Sequence, residues 1–286
     1  MTAHRDRTRD IDAIGIRNVG CSRGIGNWYT LQSQIALGKE YSHRIEATAK
    51  LITDPEITDY INEIGQNLVR NSDAQVPFTI KIIDSEDVNA VALPGGFFYI
   101  DSGLILAADS EAELAGVMAH EIAHVAACHA ARGRTRGQLM GLASLSMTMI
   151  GGPIAYAAYE TMTVAKPFTL LRFSRKFESE ADFYGVQYMY RAGYDPQALP
   201  AFFERVRAMQ KSKAGIVARA FATHPQTADR IAKTQDEINS LLPAETEYKV
   251  DTSEFQEVKA LLNKRENRVQ TPSPNRPTLR RMPTSD

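Results

Sequence analysis

The stretch that decides the fold runs from Ser110 to Ala131 and has the sequence SEAELAGVMAHEIAHVAACHAA. Its first four residues match a capping box, the pattern that begins a helix. The side chains that follow are apolar on most sides, which predicts a helix to about Ala131 that is buried in the core. Within this helix, His120 and His124 lie four residues apart, about 40° from each other around the axis, so both imidazoles project from one face.

The two histidines predict a metal site. Imidazoles at this spacing can hold one zinc ion, and Glu121 lies beside their face as a candidate general base. Burying two histidines and a carboxylate in apolar surroundings without a compensating ion would cost several kcal/mol. We therefore expect one zinc ion per chain, bound by His120 and His124.

A catalytic zinc ion needs a third protein ligand and an open position for water. On a continuous helix His129 is rotated by about 140° from His124, which places it off the ligand face. A second helical segment offers Glu178 and Asp182, which are four residues apart and share a face, whereas Glu180 is about 200° from Glu178 and points away. We predict Glu178 as the third ligand and Asp182 as an acceptor that orients a zinc-bound imidazole.

Charge and composition exclude some classes of protein. The 286 residues include 33 Lys+Arg and 34 Asp+Glu, a net charge of −1 that argues against nucleic-acid binding through bulk positive charge. The two cysteines, Cys21 and Cys128, cannot build a disulfide framework and give no evidence for an oxidising compartment; we interpret Cys128 as a small buried apolar side chain. The N-terminus lacks the apolar region of a signal peptide.

The remaining pattern predicts an α+β fold that is mainly α, with a small β-sheet. Strands are expected at 78–83, 90–93 and 97–100. We divide the chain into an irregular N-terminal arm, a main domain and a C-terminal extension, over residues 1–30, 31–245 and 246–286. The extension is expected to be disordered from about residue 267, where prolines and arginines replace large apolar side chains.

Residues 137–159 carry no charge, which is typical of segments that contact a membrane. Several glycines and Pro153 interrupt the segment, so a broken helical hairpin or a membrane-dipping lid is favoured over a membrane span. The segment is retained as a candidate membrane contact.

Three motifs of the chain together resemble those of a known family, the zinc metallopeptidases that include CAAX prenyl protease, HtpX and BepA. The motifs are His120-Glu-Ile-Ala-His124, Glu178-Ser-Glu-Ala-Asp182 and Asn89-Ala-Val-Ala-Leu-Pro-Gly-Gly96. The resemblance covers roughly residues 30–240 and implies a mostly helical, gluzincin-type fold. It also implies that an edge strand of the small sheet borders the active site and binds substrate, through Asn89, Ala90, Val91 and Ala92.

A further motif of the family is similar to His224-Pro225 in this chain, with Arg230 at the matching later position. The resemblance implies that both side chains lie beside the metal. There they would stabilise an oxyanion, or His224 would act as a switchable extra ligand. An alternative is that His224 caps a helix beginning at Pro225.

These features predict a zinc-dependent metalloendopeptidase, in which Glu121 moves a proton from a zinc-activated water to the leaving amine. Substrate pairing along a strand edge uses main-chain bonds, which favours unfolded or misfolded polypeptides as substrates, as in protein quality control. The alternative is a zinc-stabilised, chaperone-like assembly factor with little proteolysis. The resemblance implies a cell-envelope, periplasmic or membrane-associated location, and the sequence indicates no oligomeric state.

Overall fold

The computed structural model describes residues 7–140, 173–212, 224 and 227–270. After two short 3-10 helices, Arg7–Arg9 and Ile11–Ala13, the described elements are α1 Leu31–Glu46, β1 Leu51–Ile52, α2 Pro55–Arg70, β2 Thr79–Ile83, β3 Ala90–Leu93, β4 Phe97–Asp101, α3 Ser102–Ala107, α4 Glu111–Ala126, α5 129–140, α6 Arg175–Arg191, α7 Ala198–Ser212, α8 Ala228–Leu241 and α9 Ser253–Gln270. The predicted α+β class, mainly α, is confirmed.

The four strands form one sheet in the order β1-β2-β4-β3. Strands β2 and β4 are parallel, while β3 pairs with β4 in antiparallel register and lies at an edge. A tight turn through Gly95 and Gly96 joins β3 to β4, and both glycines have positive φ, 81° and 89°. A Cβ on Gly96 would lie 2.1 Å from the carbonyl oxygen of Pro77, so this turn requires glycine.

Helix α4 is the centre of the fold, and all of its residues are buried, as its apolar pattern predicts. Ser110 caps it by accepting a hydrogen bond from the amide of Glu113 over 3.3 Å. It packs against α2, α6, α7 and β3. The approach of α6 is close, because a Cβ on Gly185 would lie 3.3 Å from His120 Cα. The segment from His120 to His124 is thereby held between the sheet and α6.

Helix α4 ends at Ala126, so the prediction of a helix to about Ala131 is wrong. Cys128 has a φ of 52° in the left-handed region, and this ends α4 and starts α5 in a new direction. Cys128 forms a disulfide with Cys21 across a Cα–Cα distance of 5.0 Å. Cys128 is buried, as interpreted from the sequence, but the disulfide was not predicted, because the partner is 107 residues away in sequence and no local pattern relates the two.

The N-terminal arm is fixed to the helices at a second point. Arg17 is buried, and its Nε donates to Asp73 Oδ2 over 2.8 Å. Another nitrogen of the same guanidinium, Nη1, donates to Gln187 Oε1 on α6 over 2.7 Å. The arm is therefore joined to the segment after α2 and to the helix that carries Glu178.

Two predictions fall largely on segments beyond the described residues. The helical hairpin or lid predicted over 137–159 lies outside them from residue 141 onward, and so does the predicted disordered tail from residue 271. Before that point, α9 continues as a helix to Gln270. None of the described helices combines the length and the apolar character needed to cross a bilayer.

Candidate metal centre

Four buried side chains converge between α4, α6 and the segment before α8. They are His120, His124, Glu178 and His224, and one ligand atom from each lies within 4.8 Å of the others. The Nε2 atoms of His120 and His124 are 3.1 Å apart, and each is 3.6 Å from an oxygen of Glu178. Ligand atoms around a tetrahedral zinc ion with bonds of about 2.1 Å are separated by about 3.4 Å. The nitrogen and oxygen donors and their spacing fit zinc.

His224 joins this group from a separate part of the chain. Its Nδ1 lies 3.0 Å from Glu178 Oε1 and 3.4 Å from His120 Nε2, and its Nε2 lies 3.4 Å from Glu121 Oε1. The alternative that His224 caps a helix is wrong, because α8 begins at Ala228 and is capped by the side chain of Thr227. Only the His-Pro resemblance indicated this position.

Asp182 and Arg230 contact members of the ligand group without belonging to it. Asp182 Oδ1 lies 2.9 Å from Nδ1 of His120, the nitrogen that faces away from the other ligand atoms. Arg230 binds both oxygens of Asp182, over 2.8 Å and 2.7 Å, and its Nη1 lies 2.9 Å from Glu178 Oε2. The four-residue spacing on α6 places both carboxylates within reach of this one guanidinium.

Glu121 lies between the ligand group and the edge of the sheet. Its Oε2 accepts a hydrogen bond from the amide of Ala92 over 3.2 Å. Within the described part of the chain, no hydrogen bond reaches its other oxygen, Oε1, although that atom is buried. The carboxylate therefore has one oxygen fixed by the sheet and one directed towards the space near His224.

The four residues predicted to bind substrate do not all face the same way. The carbonyl of Asn89 accepts from the amide of Asp101 in the β3–β4 ladder. Backbone groups alternate along an antiparallel strand, so those of Val91 also face β4. The backbone groups of Ala90 and Ala92 face the open edge, and the bond from Ala92 to Glu121 shows that this edge borders the ligand group.

Sequence reasoning missed a second set of contacts around His124. Its Nδ1 lies 2.9 Å from Nδ1 of His129, whose Nε2 lies 3.3 Å from Glu180 Oε2. Arg132 donates to the other oxygen of Glu180 over 3.2 Å. Glu180 is thus directed away from the ligand group. No spacing rule predicts the contact of His129, because the turn at Cys128 rotates α5 back towards α4.

Burial and charge set the protonation of the cluster. Burial, together with the charges of the neighbouring histidines, lowers the pKa of His124 well below its usual value. Burial also acts to lower the pKa of His120, but the carboxylates of Asp182 and Glu178 outweigh it and raise that pKa to about 9. Burial acts to raise the pKa of Glu178, and bonds to His120 and His224 reverse this, so that the pKa is lowered. An ionised Glu178 and a neutral His124 are the forms that bind metal.

An HExxH helix whose histidines meet a glutamate from a second helix defines the gluzincin class of metallopeptidases. Comparison with known proteins agrees: residues 55–238 match the model of Peptidase family M48, and the chain belongs to that family. The resemblance noted in the sequence is thereby confirmed.

Curated relatives include bacterial and mitochondrial proteins. The beta-barrel assembly-enhancing protease of Yersinia pestis is 31% identical over 80% of this chain and 48% of its own length. The putative beta-barrel assembly-enhancing protease of Vibrio cholerae is 33% identical over 81% of this chain and 49% of its own. The mitochondrial metalloendopeptidase OMA1 of Schizosaccharomyces pombe is 31% identical over 69% and 56%. The chain spans about half the length of the curated relatives it matches.

Proposed function

We propose that this protein is a zinc-dependent metalloendopeptidase whose zinc ion is held by His120, His124 and Glu178. One observation carries the proposal: the ligand atoms of these side chains converge within 4.8 Å, next to the carboxylate of Glu121. When bound there, zinc would act as a Lewis acid and lower the pKa of a water molecule to about 7.

Glu121 serves as the general base and then as the general acid. The amide of Ala92 fixes one of its oxygens, so the carboxylate has a defined direction. The other oxygen, Oε1, would take a proton from the attacking water and later give it to the leaving amine of the cleaved peptide. Asp182 Oδ1 lies 2.9 Å from Nδ1 of His120, so this carboxylate favours the tautomer with the proton on Nδ1 and leaves the Nε2 lone pair of that imidazole for the metal.

Arg230 and His224 have different functions in this proposal. Arg230 is bonded to Asp182 and Glu178, so it positions two residues of the metal site. His224 lies at the distances of a fourth ligand, which supports the switchable ligand over the oxyanion stabiliser. As a fourth ligand it would occupy the position of the water molecule, and it would have to move away before water could bind there.

The substrate is an extended polypeptide that pairs with the edge of β3. Ala90 offers outward-facing backbone groups and Ala92 its outward-facing carbonyl, since the amide of Ala92 is bonded to Glu121, and such pairing depends little on side chains. Unfolded or misfolded proteins expose segments of this kind. The names of the relatives, which include assembly-enhancing proteases and a mitochondrial endopeptidase, support a function in protein quality control.

The compartment is an oxidising one, such as the cell envelope. The support is the Cys21–Cys128 disulfide, since such bonds are rare where thiols are kept reduced. A membrane contact through residues 137–159 remains part of the proposal and rests on the absence of charge in that segment.

Digestion of an unfolded protein such as casein tests the activity. The zinc-loaded chain is expected to cleave casein, to stop when a chelator removes the metal, and to recover when zinc is restored. A chain that binds zinc and protects unfolded protein from aggregation without cleaving it would instead support the chaperone-like assembly factor.

A further inference from the structure

The two zinc-binding histidines differ in what holds their second ring nitrogen. Nδ1 of His120 faces the carboxylate of Asp182, which is the common partner of a metal-bound imidazole. Nδ1 of His124 instead faces Nδ1 of another imidazole, that of His129, at 2.9 Å. At this distance one nitrogen must carry the shared proton and the other must accept it, so the two rings constrain each other's tautomers.

The metal decides the direction of this hydrogen bond. To bind zinc through Nε2, a neutral His124 must carry its proton on Nδ1, so Nδ1 of His129 must accept. The proton of His129 is then on Nε2, which lies 3.3 Å from Glu180 Oε2. Arg132 is bonded to the same carboxylate and keeps it charged as an acceptor. Zinc binding at Nε2 of His124 is therefore compatible with only one arrangement of protons, with one on Nδ1 of His124 and one on Nε2 of His129.

We propose that His129 is a positioning residue of the metal centre, which fixes His124 in the tautomer and orientation that bind zinc. Glu180 and Arg132 fix His129 in turn. The proposal rests on the proposed function, because it requires the metal at Nε2 of His124. It assigns a role to Glu180 that is distinct from that of the ligand Glu178 on the same helix.

Packing around His129 supports this role. The side chain is fully buried, and its ring stacks on Phe177 with centroids 4.5 Å apart and an angle of 18° between the planes. The left-handed turn at Cys128, held by the disulfide to Cys21, sets where α5 begins and so where the ring lies. The ring therefore meets His124 on one side and Glu180 on the other without freedom to turn.

Measurements of zinc affinity distinguish a His129 ring that accepts a hydrogen bond from His124 from a ring that contributes only packing. In His129→Phe the ring and its stacking are kept while the acceptor is lost, and in His129→Asn an oxygen replaces Nδ1 at the same position. Glu180→Ala removes the outer acceptor at a partly exposed site. His43→Phe, at an exposed position on α1, is the matched control. Zinc ions are titrated into each full-length, metal-free variant against a chromophoric chelator.

We expect His129→Phe to bind zinc about 10- to 100-fold more weakly than wild type, the range for lost supports of metal ligands. His129→Asn should recover most of this loss, Glu180→Ala should show a smaller one, and His43→Phe none. Wild-type affinity in His129→Phe, or equal losses in the Phe and Asn variants, would overturn the inference and leave the peptidase proposal standing. Should His129→Phe fail to fold, unchanged affinity in Glu180→Ala would overturn it. A wild-type chain that binds no zinc would overturn both proposals.

Discussion

The amide of Ala92 donates a hydrogen bond to Glu121 Oε2 over 3.2 Å, so the open edge of the sheet is in direct contact with the candidate general base. A peptide that pairs with this edge is brought beside the carboxylate that would protonate its leaving amine. The same contact fixes Glu121 relative to the strand rather than to the helix alone. In the proposed mechanism, substrate binding and proton transfer would therefore both depend on one strand, β3.

The two glutamates of α6 should respond differently to removal. Glu178→Ala is expected to lose bound zinc, because it removes a carboxylate whose two oxygens lie 3.6 Å from Nε2 of His120 and 3.6 Å from Nε2 of His124, respectively. Glu180→Ala should retain one zinc ion per chain at micromolar protein, although with lower affinity, because among the described residues its carboxylate is bonded to His129 and Arg132 and not to the ligand group. The zinc content of each variant after dialysis, measured by atomic absorption, tests this difference. Equal loss of zinc from both variants would reject Glu178 as the ligand.

His224→Ala tests the switchable ligand. Removing an imidazole that lies 3.4 Å from His120 Nε2 should open the water position, so that peptidase activity rises and zinc binding weakens slightly. Steady-state kinetics on a fluorogenic peptide measure this. A fall in kcat of about 100-fold with KM unchanged would instead assign His224 to oxyanion stabilisation.

The Cys21–Cys128 disulfide should stabilise the fold. It closes a loop of 107 residues and ties the N-terminal arm to the turn after α4, so its reduction is expected to lower the free energy of unfolding by about 2–4 kcal/mol. Urea denaturation with and without a phosphine reductant measures the change. The double variant Cys21→Ala/Cys128→Ala should match the reduced protein and show no response to reductant; a stability equal to that of the oxidised wild type would contradict this prediction.

The carboxyl group of Asp101, at the end of β4, should make the stability of the fold depend on pH. Burial, with a smaller contribution from Asp87, raises the pKa of this carboxyl to about 7. Between about pH 4 and pH 7 the folded state keeps a proton that the unfolded chain has lost, so stability falls as the pH rises through this window. Asp101→Asn should therefore raise Tm relative to wild type more at pH 8 than at pH 4.5. The exposed Asp59→Asn is the control, and a pH-independent difference for Asp101→Asn would contradict the assignment.

Local rules predicted the elements that carry the metal ligands. Helical spacing places His120 beside His124 and Glu178 beside Asp182, and the capping box at Ser110 marks where α4 begins. These features depend only on residues within a few turns of one another, so they can be worked out from sequence.

Long-range contacts could not be predicted in this way. The convergence of α4 with α6 depends on tertiary packing, and the position of His224 was indicated only by family resemblance. His129 was missed because the calculation assumed a continuous helix, whereas a left-handed residue and a disulfide to a distant cysteine change the direction of the chain at Cys128. The alternation along β3, which turns Asn89 and Val91 away from the open edge, required the observed pairing with β4.

Casein digestion by Glu121→Gln, alongside metal analysis of the same samples, tests whether Glu121 is the general base of a zinc peptidase. The substitution keeps an oxygen able to accept from Ala92 but removes the carboxylate that transfers the proton. We expect peptide hydrolysis to be abolished while zinc stays bound at about one ion per chain, because the three proposed ligands are unchanged. Wild-type turnover in the zinc-loaded Glu121→Gln variant would contradict this expectation.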